Sequence, residues 1–512
     1  MARRPSRGRT ARQYSLPAPT DGWNARDNIA AMPPLDAVIL DNWFPSTGYL
    51  QVRNGNTEFA DGVGVGSVFA LMAYSSPAGG KLFAASATNI YDITPGGTAS
   101  SVVASMTNGR WQHVNFTTSG GSFLLAVNGA DTPRQYDGTN WSASTISASG
   151  LTTANLINIW VHKGRIWFVE KDTLDAWYLS AGAIAGTAVK FPLGAVFQLG
   201  GELIAGGSWS RDGGDGMDDL QVFITSNGEV AVYQGTDPAS ADTFALVGVF
   251  RIGRPLGYRC MEKFGADLIV VTDQGYLPLS QVLRLDPSQA EAQAISDKIR
   301  DAVSEAALSY GGNFGWQAIS YPKSNWGLFN VPTVEGEQAE QHVVNVLTGA
   351  WCRFTGMNAV CWEVFNDDLY FGGQNGFVYK ADSGESDDGD PVNADCLQAF
   401  TDAGLPGTMK RYTMLRPLFR SDGSLGITLQ FNVDYAISAP GTNPTPGTAS
   451  GPVWDVALWN VSYWAGPPVP VMLPTSVVGI GTVASARIRC SVDAQQVQYL
   501  KTDYLFEPGG FL

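Results

Sequence analysis

The feature that most constrains this chain is a hairpin that returns at a nearly regular interval. Six segments share it: KLFAASATNIYDI (81–93), SFLLAVNGADTPRQYDG (122–138), GRIWFVEKDTLDAWYL (164–179), LQVFITSNGEVAVYQG (220–235), ADLIVVTDQGYLPLS (266–280) and DLYFGGQNGFVYKAD (368–382). In each, an apolar strand meets a turn built on Asn, Asp or Gly and a second strand follows. Asn-Gly and Asp-x-Gly reach positive φ at little cost and so close hairpins. The turns centre near residues 89, 128, 172, 227, 275 and 375. Most gaps are about 40 to 55 residues, the length of a four-stranded propeller blade. The final gap of about 100 predicts one further blade plus an insertion. The fold expected is therefore all-β, an interrupted β-propeller of six or seven blades. Composition agrees: 59 glycines, 11% aromatic and only 15% charged residues in 512 favour short strands and tight turns over a helical enzyme. A chain of this length needs no disulfide staple to build a core.

The remaining organisation is read from departures from that rhythm. Residues 21–385 are assigned to the propeller. Within the long gap, Asp286-Pro287-Ser288-Gln289 offers an N-cap, a proline at the first helical position and Gln three residues after the cap. Ile295, Ile299, Ala302, Val303 and Ala306 form one apolar stripe and Gly311-Gly312 ends it, so one amphipathic helix is predicted over 287–309. It would pack on the outside of a blade or face a neighbouring subunit. Residues 386–408 read as an acidic linker. Residues 409–512 read as a C-terminal antiparallel β-sandwich-like domain, with strands at 427–437, 453–464, 484–492 and 495–506 and a loop over 438–452. Residues 1–20 read as a flexible arm with no strand pattern, whose removal should leave the fold intact.

The net charge of −15 and pI of about 4.6 exclude a general nucleic-acid-coating surface. The charge is uneven. Arg3, Arg4, Arg7, Arg9 and Arg12 stand in the first 20 residues with no acid, so the rest of the chain carries −20. Such an arm is either solvated or docks on an acidic partner or on phosphates. The five cysteines form no CxxC pair and read as reduced, buried thiols of a protein made in a cytosol. The three histidines are too dispersed for a zinc site, and there is neither a secretory h-region nor an apolar run long enough to span a bilayer.

The acidic loops Ser210–Asp219 and Ser386–Asp390 lack the spacing of a calcium loop and read as solvated turns. Ser210-x-Asp212-x-Gly214 matches the start of an Asp-box, without its following Thr and aromatic residue. G-x-S-x-G, H-E-x-x-H and a Walker A lysine are absent. No catalytic set, metal site or cofactor is expected, and the tryptophans within strand patterns are assigned to packing.

One stretch resembles a known family. AISDKIRDAV (294–303), YPKSNWGLFNVP (321–332) and HVVNVLTGAWCRFTGMNAVCW (342–362) are followed by DLYFGGQNGFVYKAD (368–382), DDGDPV (387–392), KRYTMLRPLF (410–419) and VDY (433–435). This order resembles the β-propeller structural proteins of short-tailed bacteriophages, the group of the tail nozzle (tail tubular protein B) and the packaged-DNA stabilisation proteins. The Thr348-Gly349-Ala350-Trp351 turn is its most specific part. The resemblance implies a structural virion protein of the tail, made in the bacterial cytoplasm and not an enzyme. It implies a homohexameric ring below the portal and head-to-tail adaptor, near tail fibres or spikes, through which double-stranded DNA passes without specific binding. It supplies no catalytic residue. The alternative expectation is a receptor-binding or glycan-cleaving propeller of the tail with aromatic and carboxylate groups in a concave face.

Overall fold

The computed structural model describes residues 11–212, 217–282, 294–447 and 468–511. The chain divides into two compact units. One comprises Glu58–Gln341 and Met357–Ala381; the other comprises Met1–Thr57, His342–Gly356 and Asp382–Leu512.

The first unit is a β-propeller. Its innermost strands are Ala70–Ser76, Gln112–Thr118, Leu156–His162, Leu203–Asp212, Met261–Phe264, Gln317–Tyr321 and Cys361–Phe365. Each lies against the next and the seventh lies against the first, so seven blades close a ring. The six hairpins legible in the sequence are the second and third strands of blades one to five and seven. Blade six fills the long gap. Its second and third strands, Trp326–Val334 and Gln338–Asn345, are joined through Glu335-Gly336-Glu337, which carries no Asn-Gly or Asp-x-Gly signal. Second strands such as Arg165–Glu170 are buried on both faces, which is why they read as unbroken apolar runs rather than alternating ones. Between blades three and four the sheets meet through Trp167, Phe223, Tyr233 and Phe244, whose rings stack or meet edge to face.

The ring is sealed by chain from before blade one. Asn56–Asp61 hydrogen-bonds to Val378–Ala381 and completes blade seven. Val63 N–H donates to Gly376 O (3.0 Å), Gly376 N–H to Gly66 O (2.8 Å) and Val68 N–H to Gly373 O (3.0 Å). Gly376 sits at φ +75°, where a Cβ would lie 2.5 Å from the Gly64 carbonyl oxygen, so only glycine fits this crossing.

The expected helix is present in part. Arg300–Tyr310 is α-helical, preceded by a 3-10 turn at Asp297–Ile299, and it packs against the strands Trp326–Val334 and Gly275–Pro278. Ile299, Val303 and Ala306 are buried as the stripe requires, and the helix stops at Gly311. Ile295 precedes the helix and is exposed, so it is not part of the stripe. The expected cap at Asp286–Gln289 lies outside the described residues, as do Arg3, Arg4, Arg7, Arg9, the Gly213–Gly216 turn and the predicted strand at 453–464.

The second unit corrects three boundaries. The arm is not free throughout: Arg12–Pro17 is a strand paired antiparallel with the terminal strand Val497–Phe511. Leu16, 2% exposed, enters a core with Tyr412, Leu415, Tyr504 and Phe506. Alternation is too short in RQYSLP for a strand to be evident from sequence. Residues 386–408 are not a linker either. Ser386–Asp387 and Asp390–Gln398 are strands, and the latter pairs on its two sides with Asp36–Asp41 and Ala484–Val492. Finally, 409–512 is not a separate domain. Its strands share sheets with Arg12–Pro17, Asp36–Asp41 and Tyr49–Val52, and residues of both sheets meet in one core, as in a β-sandwich.

Arg53 ties the three segments of this unit together. Its side chain is fully buried. It donates twice to Asp387 (2.8 and 2.6 Å), to the Asn42 side-chain oxygen (2.9 Å) and to the Thr355 carbonyl (2.7 Å). Because the guanidinium cannot lose its charge, removing its counter-ion leaves an uncompensated buried cation. Asp387→Ala should therefore cost about 3–5 kcal/mol in urea unfolding; a loss below about 1 kcal/mol would show that the pair is solvated. Removing residues 1–20 deletes a paired strand with a core residue and should lower the melting temperature by several degrees, whereas an unchanged transition would return those residues to the status of a free arm.

Candidate functional site

The seven inner strands line an open cavity of about 520 Å³ on the propeller axis. Its shape is set by packing between neighbouring blades. The Trp160 indole packs against Gly206, where a Cβ would come within 2.3 Å of the ring. The glycine thus lets a large ring occupy the blade interface. Trp111, Trp160 and Trp362 all border the cavity and all are buried, so none presents an open ring face.

The polar groups enter from inner strands where charge is unusual. His113 stands on the strand of blade two, Glu262 and Lys263 on blade five, and Glu363 on blade seven. Arg259 comes from the segment before blade five. Its guanidinium donates to the Phe69 carbonyl (3.0 Å), the Trp111 carbonyl (3.1 Å) and the Gln317 side-chain oxygen (3.3 Å), which links blades one, two and six. His113 Nε2 lies 3.8 Å from Glu363 Oε2, with the two side chains 17% and 22% exposed through the cavity.

Burial dominates the ionisation of this group. It pushes the Glu363 carboxyl up to about 8, helped by the like charge of Glu262 and opposed by Arg259. Burial likewise pushes Glu262 up to about 7, opposed by a hydrogen bond from the Ser320 backbone and by Lys263. His113 is pushed down to about 4 by burial and by Arg259. His162, whose Nδ1 is 3.0 Å from the hydroxyl of the cavity residue Ser208, is also pushed down to about 4, mainly by burial. Near neutral pH the histidines are therefore uncharged, and the two carboxyls share a site in which at least one proton is retained.

Of the residues singled out in the sequence, His113, one of the dispersed histidines, and Trp362, assigned to packing, line this cavity; the candidate docking arginines and the acidic loops do not. Arg12 is exposed at the start of its strand in the other unit. In the acidic loop, Asp219 is taken up by Lys163 (2.8 Å) and by the Ser210 hydroxyl (2.7 Å). In the second acidic loop, Asp387 serves Arg53. All five cysteines are buried and unpaired. Among the described residues no group of three or more His, Cys, Asp or Glu is placed to hold a metal ion, and no helix is long and apolar enough to cross a membrane. The signal that would have found the cavity is a single acid within an otherwise apolar inner strand, as in Cys-Trp-Glu-Val-Phe.

No protein-family model and no curated protein matches the sequence significantly. Among solved structures the chain is similar to YCF48 from Cyanidioschyzon merolae, with TM-score 0.36 and 12% identity over 65% of this chain and 98% of that one. It is similar to an exo-beta-1,3-galactanase from Phanerochaete chrysosporium, with TM-score 0.25 and 9% identity over 77% and 95%. It is also similar to Raptor from Chaetomium thermophilum, with TM-score 0.40 and 10% identity over 65% and 29%. At such values these likenesses carry no argument about activity, and no enzyme family is established by them.

The cavity groups make stability depend on pH in a specific way. A histidine with a lowered folded pKa adds stability as pH rises toward about 6.5, and a glutamate with a raised one removes it from about 4.3 upward. Two of each oppose one another between those values. Above pH 6.5 only the glutamates act, so stability to urea should fall as the pH is raised to 8. Glu363→Gln should flatten that fall; an equal fall in the variant would remove Glu363 as its source.

Proposed function

We propose that the chain is a structural protein of a short bacteriophage tail, one subunit of a ring-shaped nozzle below the portal and adaptor that retains packaged DNA and lets it pass at ejection. The supporting observation is what the residues of the resemblance do. Asp387 holds Arg53. Asn345 closes the Thr348–Trp351 turn, its carbonyl accepting from the Gly349 N–H (2.8 Å) and its N–H donating to the Ala350 carbonyl (2.9 Å), and its side-chain amide donates to the Pro45 carbonyl. Asp368 receives both Lys323 and Lys380. The motifs serve architecture, with segments hundreds of residues apart held in fixed register.

The remaining physics fits a conduit. A ring of identical subunits uses heterologous interfaces that close by rotation. The propeller axis is filled by inner strands around a cavity of about 520 Å³, so a duplex would travel along the axis of the ring and not through a single propeller. Basic walls would hold phosphates tightly, whereas a chain of net −15 repels them and lets the duplex slide. The partners on this reading are further copies of the chain in a hexamer, the adaptor, and fibres or spikes.

A second reading, a receptor-binding or glycan-cleaving propeller, is favoured by one observation: Glu262 and Glu363 share one cavity, and glycoside hydrolysis uses a carboxylate pair. Trp111, Trp160 and Trp362 at the cavity wall are buried, which leaves the partly exposed Tyr258 as the aromatic ring a sugar could stack on. An antibody against the full-length chain should label the distal tail of purified virions. Release of reducing sugar from host surface glycans by the full-length chain would replace the first reading with the second.

A further inference from the structure

One sheet of the second unit ends in two edges of opposite character. Across it run Arg12–Pro17, Val497–Phe511, Thr408–Ser421 and then Val469–Met472 with Thr475–Gly481, each antiparallel to the strand before it. Among the described residues no strand pairs with the outer side of Arg12–Pro17 or of Thr475–Gly481. Edge strands are ordinarily blunted by charge or by proline. Thr475–Gly481 (TSVVGIG) carries neither, and its outward side chains stand in solvent, Val478 at 95% and Ile480 at 61% exposure. Val469 and Met472 continue the exposed apolar border. An edge of this kind is a template for one more strand.

We infer that the Thr475–Gly481 edge takes the strand Arg12–Pro17 of a second copy of the chain, so that one antiparallel sheet runs through neighbouring subunits; this names the interface of the proposed ring and rests on that reading. Direction, length and charge select this occupant. Because the strands alternate, Arg12–Pro17 runs opposite to Thr475–Gly481, and a second copy set beside the first in the same sense continues the alternation. Six residues meet seven. Antiparallel pairing brings the Arg12 end against the Gly481 end. There Asp434 is exposed and accepts the Thr482 N–H (2.7 Å), Asp402 lies near it, and Lys410 offsets only one of the two acids. Arg411, opposite Ile480, is matched by Glu507 at 3.9 Å. Arg12, with four more arginines and no acid before it in sequence, brings the complementary charge.

The contact joins two different edges, which is the heterologous kind that builds rings and filaments. Pairing of Thr475–Gly481 with its own counterpart would instead close a two-fold dimer and bring an uncharged strand against Asp434. The faces restrict the register. Gln13, Ser15 and Pro17 are exposed, as are Ser476, Val478 and Ile480, and outward residues lie opposite outward ones. With Arg12 opposite Gly481, Gln13 faces Ile480.

The test is oxidation of the full-length chain carrying Gln13→Cys and Ile480→Cys, followed by peptide mapping. The five native thiols are buried and do not compete. The expected result is a disulfide between positions 13 and 480 of different copies, which yields a ladder of linked chains, while neither single variant forms a link. Val478→Lys should leave the melting temperature unchanged and weaken self-association at least about tenfold in sedimentation velocity. Absence of the 13-to-480 link, a 480-to-480 link in the single variant, or self-association indifferent to Val478→Lys would each overturn the inference. None of these outcomes alters whether an antibody labels the distal tail, so the nozzle reading fails or stands separately.

Discussion

A ring of blades has no covalent seam, and everything in the first unit depends on how that seam is closed. Here the closing strand, Asn56–Asp61, comes from before blade one and lies beside Val378–Ala381 of blade seven. Backbone hydrogen bonds join Val63, Gly66 and Val68 to the Gly373–Gly376 turn. The seam therefore spans more than 300 residues of sequence, and its loop-closure entropy must be met by contacts that form together. Once it is closed, the inner strands of blades one and seven touch and the axial cavity acquires its full wall. Glu363 on blade seven and His113 on blade two face each other only because the ring is complete.

The second unit meets a similar problem by a different means. Its three segments are separated by two stretches that build the propeller, and a buried fork of charge pins them. Arg53 comes from the first segment, Thr355 from the second and Asp387 from the third. Arg487 and Asp395 repeat the device on adjacent strands, with contacts of 2.6 and 2.9 Å. Buried pairs of this kind contribute little net stability when well made and cost several kcal/mol when broken. They discriminate against wrong pairings of strands, which suits a unit whose parts are synthesised far apart.

Much of this architecture was legible in the sequence, and the reason is local. A blade hairpin is a contiguous stretch with a turn that demands Asn, Asp or Gly, so six of seven blades announced themselves. Blade six did not, because its hairpin turns through Glu335-Gly336-Glu337, and only the doubled interval betrayed it. Domain boundaries were misread because pairing partners are remote. Arg12–Pro17 bonds to the opposite end of the chain, and Asp387 resembles a solvated turn until Arg53 is placed beside it. The cavity was invisible for the same reason. Glu262 and Glu363 are single acids in separate strands, and nothing short of ring closure brings them together. The cluster of arginines at the amino terminus, conspicuous in sequence, contributes only Arg12 to the described structure, at an exposed position.

Hydrogen exchange resolved to individual amides tests the closure most directly. If the ring is sealed as described, the amides of Phe59–Asp61 and of Val378–Ala381 exchange together, as slowly as those of the second strands Arg165–Glu170 and Gly121–Val127. Rapid exchange of Phe59–Asp61 while those second strands stay protected would contradict it, since the propeller would then hold its blades without the strand on which its closure is said to rest.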